Sequence, residues 1–154
     1  MTPATHTDEP YVRSLLLQQI RLIAALKSVL ASLSDVIDTT DGDIKSRLLP
    51  IQRTAQAAFN DDDLWSTFNR RYNLFHGNYL AKLARDYPTL TGTELRLCAF
   101  LRLPMQSKDI ALLLNCSVRS VEKHRERIRK KLGIENGVNL ITFLAGRYAD
   151  DLDA

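Results

Sequence analysis

The hydrophobic positions between residues 12 and 37 repeat with the spacing of one long helix. Apart from Gln19, apolar residues fill three rows of positions that lie seven residues apart. The rows are Leu16, Ile23, Leu30 and Ile37; Val12, Gln19, Leu26 and Leu33; and Leu15, Leu22, Val29 and Val36. Three rows make a stripe wider than the seam of a two-stranded coiled coil, so we expect this helix to pack against two or more neighbours.

The width of this stripe also predicts self-association. A chain of 154 residues can hardly cover three apolar rows by itself, so we expect copies of the chain to associate through this helix as a homodimer or a higher homo-oligomer. The predicted dimerisation residues are Leu16, Ile23, Leu26, Leu30 and Leu33.

The middle of the chain predicts two further helices. The polar run at 38–43 ends the first helix and supplies cap residues for a second over about 43–59, which Pro50 must kink or restart. A third begins after the acidic loop at 60–63 and ends near Tyr87-Pro88, since a residue before proline avoids the helical region. Its apolar positions, three or four residues apart, are Leu64, Phe68, Tyr72, Phe75, Tyr79 and Leu83.

The last third of the chain predicts several short helices. Thr91-x-x-Glu94 is the pattern of a capping box, and Pro104 closes the helix that it opens. Ser107 is predicted to cap a helix over 108–115, which the turn Asn115-Cys116 separates from the next helix.

Ser117 is predicted to cap that next helix, which runs to about Leu132 and stops at Gly133. Two helices joined by a short turn, the second of them basic, are typical of a helix-turn-helix. The predicted buried positions of the second helix are Val118, Val121, Ile128 and Leu132. A final amphipathic helix follows, with Val138, Leu140, Ile141, Phe143 and Leu144 as its apolar positions.

These elements predict an all-α fold. A long-helix region, forming a coiled coil or a bundle, precedes a C-terminal helix-turn-helix domain. We expect a disordered tail over residues 1–9, a helical dimerisation region over 10–86 and the DNA-binding domain over 87–154.

Basic residues are concentrated in the second helix of the motif. Residues 119–131 hold seven Lys or Arg against two Glu, a net charge of +5, whereas acidic and basic residues cancel over 1–89. A polyanion is therefore the expected partner of this segment.

The sequence lacks the patterns of several other protein classes. No apolar stretch is long enough to span a membrane, and no nucleophile motif or phosphate-binding glycine loop is present, so we expect no membrane partner and no catalytic residue. Cys98 and Cys116 lack metal or redox spacing and predict reduced thiols in a cytoplasmic protein. The helix dipole explains the aspartates at 61–63 more simply than a metal ion does, and His76 is assigned to packing. We therefore expect neither a metal nor a cofactor.

Four short motifs follow one another in the last third of the chain. They are Leu90-Thr91-x-x-Glu94, Ser107-Lys108-Asp109-Ile110-Ala111, Ser117-Val118-Arg119-Ser120-Val121-x-x-His124 and Lys131-Leu132-Gly133. At these separations they resemble the helix-turn-helix of the LuxR/GerE family. Upstream, Trp65-x-x-Phe68, Phe75-His76 and Tyr79 are similar to a group of bacterial regulators in which this motif follows a coiled coil, often attached to tetratricopeptide repeats. The resemblance covers about residues 12–146.

The resemblance implies roles for individual residues. The helix that begins at Ser117 would enter the major groove of double-stranded DNA, with Glu122, Lys123 and Glu126 facing the bases. The residues placed to reach backbone phosphates are Lys108, Arg119, Ser120, Arg127 and Lys130. The two glutamates have two interpretations: they accept hydrogen bonds from cytosine N4, or they pair with neighbouring arginines and orient them toward phosphate.

We therefore predict a sequence-specific DNA-binding transcriptional regulator that acts as a dimer and is not an enzyme. The alternative is a protein–protein adaptor that uses the helix-turn-helix as a docking surface and has little DNA affinity. The two glutamates on the predicted DNA-facing side are consistent with this alternative. A promoter reader shares the motif, so RNA polymerase is a further candidate partner.

Overall fold

The computed structural model describes residues 9–59, 61–103 and 105–148. This part of the chain contains eight helices and no strand, so the all-α prediction is confirmed. The helices are α1 (Glu9–Asp38), α2 (Asp43–Ala58), α3 (Asp61–Phe75), α4 (Tyr79–Asp86), α5 (Gly92–Leu101), α6 (Ser107–Leu113), α7 (Val118–Lys131) and α8 (Leu140–Gly146). Of the predicted tail at 1–9, all but Glu9 lies outside the described residues, and Pro104 lies outside them as well.

The junction between α1 and α2 follows the prediction only in part. α1 ends at Asp38, where the polar run begins, as predicted. The N-cap of α2 is Gly42, with φ of 74°, and no side chain caps the helix, so the expected side-chain cap is wrong. A glycine reaches this backbone region at no steric cost, which a capping aspartate does not. Pro50 lies inside α2 and does not restart it.

The predicted third helix is in fact two helices, α3 and α4. Gly77 and Asn78 adopt φ of 56° and 58°, in the left-handed region that glycine and asparagine tolerate best. The Asn73 side chain bridges the break, because its Oδ1 accepts a hydrogen bond from the Leu80 N–H at 3.0 Å. The apolar spacing runs across the break, since Tyr72, Tyr79 and Leu83 are all buried, and this continuity concealed the turn.

One hydrophobic core joins the N-terminal and C-terminal helices. Ile20 of α1, Tyr72 of α3, Leu97 of α5 and Ile128 of α7 belong to the same buried cluster. Tyr79 links α4 to α8, because its hydroxyl donates to the Leu144 carbonyl at 3.0 Å. Burial of each large apolar side chain contributes about 1.5–3 kcal/mol, so this shared core holds α1 against the C-terminal helices.

The three apolar rows of α1 have different surroundings. Leu16 and Ile37, from the first row, are buried within the monomer, together with Ile20 and Ala24 between them. The row of Leu15, Leu22, Val29 and Val36 is exposed, at 42%, 62%, 64% and 50%. Of the other predicted dimerisation residues, Leu26 is exposed, and Ile23, Leu30 and Leu33 are half-buried. One face of α1 therefore packs inside the chain while the opposite face is left apolar and exposed.

Candidate nucleic-acid interface

The turn between α6 and α7 has the geometry of a Schellman motif. Asn115 adopts φ of 51°, its N–H donates to the Leu112 carbonyl at 3.2 Å, and the Cys116 N–H donates to the Ala111 carbonyl at 2.9 Å. These two bonds satisfy carbonyls that the end of α6 would otherwise leave unpaired. Because the turn is so short, the direction of α7 relative to α6 is set by local bonds, as the helix-turn-helix prediction requires.

The start of α7 is capped as predicted, whereas the start of α6 is not. Ser117 Oγ accepts a hydrogen bond from the Ser120 N–H at 3.1 Å. The N-cap of α6 is Gln106, without a side-chain cap, so the assignment of Ser107 as the cap is wrong. Ser107 is the first residue of α6, and its hydroxyl donates to Glu122 Oε1 at 3.3 Å, which links the two helices of the motif.

The inner face of α7 is apolar and fully covered. Val121 and Ile128 are 0% exposed, and Leu132 is also buried. Val118 is 46% exposed, so its predicted burial is wrong. It lies in the first turn of α7, where the described part of the chain leaves it partly uncovered.

The basic residues of α7 divide into structural and exposed groups. Lys131 Nζ donates to Glu94 Oε2 at 2.7 Å and to the Thr89 carbonyl at 2.8 Å. Arg129 donates to the Val138 and Glu135 carbonyls at 2.6 and 2.9 Å and so holds the segment before α8. These two cations have partners inside the protein and are poorly placed to bind a polyanion. Charge counting along the sequence missed this division, and only the capping box pointed to Glu94.

Glu94 is the anchor at the other end of this ion pair. Its side chain is 2% exposed, and both bonds of the predicted capping box with Thr91 are present. Burial raises the pKa of the Glu94 carboxyl, but the hydrogen bond from Lys131 and those made with Thr91 outweigh this effect, so the pKa is lowered from its usual value. The carboxylate is therefore ionised at neutral pH and fixes α7 against the start of α5.

The outer face of α7 carries all the predicted DNA contacts of that helix except the half-buried Ser120. The exposed residues are Arg119, Glu122, Lys123, Glu126, Arg127 and Lys130. They recur at steps of one, three or four residues, so they share one side of the helix. Ser117, at the N-cap, and Lys108, on α6, are exposed as well. The six residues hold four cations and two carboxylates, a net charge of +2.

Both glutamates of this face have basic neighbours within reach. Glu122 lies 3.3 Å from Arg125 Nη1, and Glu126 lies 3.3 Å from Lys130 Nζ. These are pairs at steps of three and four residues on an exposed helix face, where each contributes only about 0.2–0.5 kcal/mol. The pairs therefore cost little to break when another partner approaches.

Two negative findings concern the described residues only. That part of the chain contains no group of three or more His, Cys, Asp or Glu side chains that could hold a metal ion. None of its helices is both long enough and apolar enough to cross a membrane.

Comparison with known proteins identifies the family of this segment. Residues 88–144, which contain α5, α6 and α7 and most of α8, match the family model for bacterial regulatory proteins of the luxR family, GerE. No curated protein and no solved structure matches the chain. The match begins after α4, so the upstream resemblance to coiled-coil regulators stays a prediction. Residues 88–144 therefore form a helix-turn-helix domain of the LuxR/GerE family, a family of DNA-binding regulators.

Proposed function

We propose that this protein is a sequence-specific transcriptional regulator that binds double-stranded DNA as a dimer, with α7 in the major groove. The observation that carries the proposal is the division of charge on α7. Lys131 and Arg129 are held by internal partners, whereas Arg119, Lys123 and Arg127 lie together on the outer face. A helix with a buried apolar side and a basic outer side is suited to insertion into the groove. Such a regulator would act in the cytoplasm, with the DNA.

The proposed contacts follow from position along α7. Lys123 lies near the middle of the exposed face and is assigned to base edges, with Glu122 and Glu126 beside it. Arg119 and Ser120 in the first turn, Arg127 and Lys130 further along, and Lys108 on α6 are assigned to backbone phosphates. Phosphate contacts set affinity and register, and base contacts carry sequence information. Ser117 is assigned to the interface through its position at the N-terminus of α7, where backbone N–H groups favour an anion.

The contacts of the glutamates favour the pairing interpretation. Glu122 holds Arg125 and accepts from Ser107, so its carboxylate already has two partners on the protein. Glu126 holds Lys130 rather than an arginine. We propose that both carboxylates position neighbouring cations, and that direct acceptance from cytosine N4 is the secondary role.

The dimer is proposed to form through the exposed face of α1. Between Leu22 and Val36 the steps are four, three, four and three, through Leu26, Val29 and Leu33, which is the spacing of a two-stranded coiled-coil seam. Leu15 lies seven residues before Leu22, with the polar Gln19 between them. The 30 residues of α1 span about 45 Å, long enough for a stable seam. The interface proposed here shares Leu26 and Leu33 with the set predicted from sequence, whereas Leu16 serves the core of the monomer.

The proposed dimer helix is attached directly to the DNA-binding motif. Lys27 Nζ donates to the Leu113 carbonyl at 3.2 Å and lies 3.5 Å from Asn115 Oδ1, at the end of α6 and in the turn. α1 also contributes Ile20 to the core shared with α7. Pairing of two α1 helices would therefore fix the spacing of two α7 helices.

The decisive experiment is selection from a pool of random duplex DNA, followed by sequencing, at two salt concentrations. Two-fold-related half-sites about one helical turn apart would establish a dimeric sequence-specific regulator. Salt-sensitive retention without an enriched motif would leave only phosphate-driven binding and refute sequence specificity. Retention at neither salt would refute DNA binding and favour the adaptor. RNA polymerase is a second proposed partner, to be tested by co-purification on a promoter that carries the selected site.

Two matched variants assign the contact surface. Arg127→Ala is expected to weaken binding to the selected site without changing the free energy of unfolding, because its side chain lies on the outer face. Arg53→Ala removes an exposed arginine of α2 that is not among the proposed DNA contacts, and it is expected to leave binding unchanged. Equal affinities for both variants would show that α7 does not contact DNA.

A further inference from the structure

A cavity of about 540 Å³ lies between α1, α3 and α5. Its apolar wall includes Ile20 and Ile23 from α1, Trp65 and Phe68 from α3, and Phe100 from α5. Pockets that bind small molecules have volumes of about 300–1,000 Å³ and are lined mainly by hydrophobic and aromatic side chains. In size and lining this cavity is suited to the apolar body of a small ligand.

The charged residues that line the cavity are mostly basic. The lining holds Lys27, Arg71 and Arg96 and the acidic Asp63. Arg96 Nη2 also lies 3.8 Å from Oδ1 of the exposed Asp62. Arg71 Nη1 is held by Gln19 Oε1 at 2.8 Å, which orients the guanidinium beside the cavity. Arg96 lies over the Trp65 ring, 5.1 Å from its centroid, and its Nε is buried without a hydrogen-bond partner among the described residues. An apolar cavity with net positive charge complements an anionic group attached to an apolar body.

A second copy of the chain would complement the positive charge of the cavity lining poorly. The exposed face of α1 is the surface that another copy would bring, but α1 holds no acidic residue between Glu9 and Asp35. Packing of a partner's α1 over the cavity would therefore leave the net positive charge of its lining uncompensated, which is costly where water is excluded. A small anion can neutralise this net charge.

We propose that this cavity binds a small amphipathic carboxylate, with its aliphatic or aromatic body against Trp65 and its carboxylate between Arg71 and Arg96. The ligand would contact α1, α3 and α5, and Leu113 at the end of α6 also lines the cavity. Occupancy would therefore bias the packing of α1 against the helix-turn-helix. Control of DNA binding by the ligand rests on the proposed function, whereas occupancy of the cavity does not.

Trp65 provides the measurement, because it is the chain's single tryptophan and lines the cavity. Titration of the full chain with carboxylates from hexanoate to dodecanoate, followed by intrinsic fluorescence, is expected to give a saturable change. The matched alcohols should bind at least about tenfold more weakly, because they lack the charge that the arginines recognise. Equal responses to acids and alcohols would overturn the proposal for an anion site.

Neighbouring arginines on α3 supply a matched pair of variants. Arg71→Gln is expected to weaken decanoate binding about tenfold, whereas Arg70→Gln, at an exposed position outside the cavity lining, should leave it unchanged. Both side chains are exposed, so neither change is expected to disturb folding. Loss of affinity in both variants or in neither would overturn the assignment of Arg71.

The remaining outcomes separate this site from the DNA-binding function. No saturable change with any carboxylate would overturn the proposal, and a Trp65 signal that changed on dilution alone would show that a second copy covers the cavity instead. Because the titration contains no DNA, its result does not depend on whether α7 binds DNA. A DNA titration with and without decanoate then reports the coupling separately.

Discussion

Lys130 and Lys131 are adjacent on α7 but have opposite environments. Lys131 Nζ lies 2.7 Å from Glu94 Oε2, and the two side chains are 29% and 2% exposed. The Lys130 side chain is 77% exposed and pairs with Glu126 at 3.3 Å. We therefore expect Lys131→Met to lower the free energy of unfolding strongly and Lys130→Met to leave it nearly unchanged, although both changes remove one positive charge.

The burial of the Lys131–Glu94 pair determines the expected difference in unfolding free energy between the two variants. Removal of one partner of a buried ion pair costs about 3–5 kcal/mol, because the other charge is left in the interior. Glu94 would keep the hydrogen bond from the Thr91 N–H at 2.8 Å, so we expect the lower end of that range, about 3 kcal/mol. For a chain of this length such a loss lowers the melting temperature by about 6–12 °C. The exposed Lys130 pair is worth less than about 1 kcal/mol.

Urea unfolding followed by far-UV circular dichroism measures both variants. The double variant Glu94→Gln/Lys131→Met should recover most of the loss, because neither buried charge remains. In DNA binding the order reverses: Lys130→Met should reduce the slope of log affinity against log salt by about 1, and Lys131→Met should not change it while the protein is folded. Equal losses of stability for the two lysines would refute the assignment of Lys131 to the core.

Three further measurements test other parts of the structure. Val29→Asp should convert the dimer to a monomer, as measured by light scattering. Ser28→Asp, at an adjacent exposed position, should leave the dimer intact. A Val29→Asp variant that is still dimeric would place the interface elsewhere. The folded-state pKa of Glu94 is lowered, so the stability that this carboxylate contributes is complete above its ordinary pKa of 4.5 and is lost as the pH falls further. Glu94→Gln should remove that part of the pH dependence of the urea midpoint. A pH dependence that is unchanged in this variant would contradict the role of Glu94. Burial raises the pKa of the Cys98 thiol to about 12. Thiol reagents should therefore modify the half-buried Cys116 first and react with Cys98 only when the protein unfolds. Mass spectrometry at successive times measures this order of modification.

Local sequence determined the ends of several helices and the identity of the DNA-binding motif. The capping box of Thr91 and Glu94, the cap at Ser117 and the stop at Gly133, where φ is 65°, depend on bonds within a few residues, so short motifs predicted them correctly. The same use of short motifs assigned Ser107 wrongly as the N-cap of α6, because its hydroxyl donates instead to Glu122 on α7. It did not detect the break at Gly77-Asn78, because the apolar spacing continues across it.

Only the tertiary structure decided which members of a repeating pattern face inward. Leu15 and Leu16 are adjacent residues of the same type, yet Leu15 is 42% exposed and Leu16 is 3% exposed, because α1 packs on one side against the remaining helices. Lys130 and Lys131 differ for the same reason: a rotation of about 100° per residue turns one lysine toward Glu94 and the other toward solvent. Periodicity states which residues share a face, but the face that becomes buried depends on partners distant in sequence.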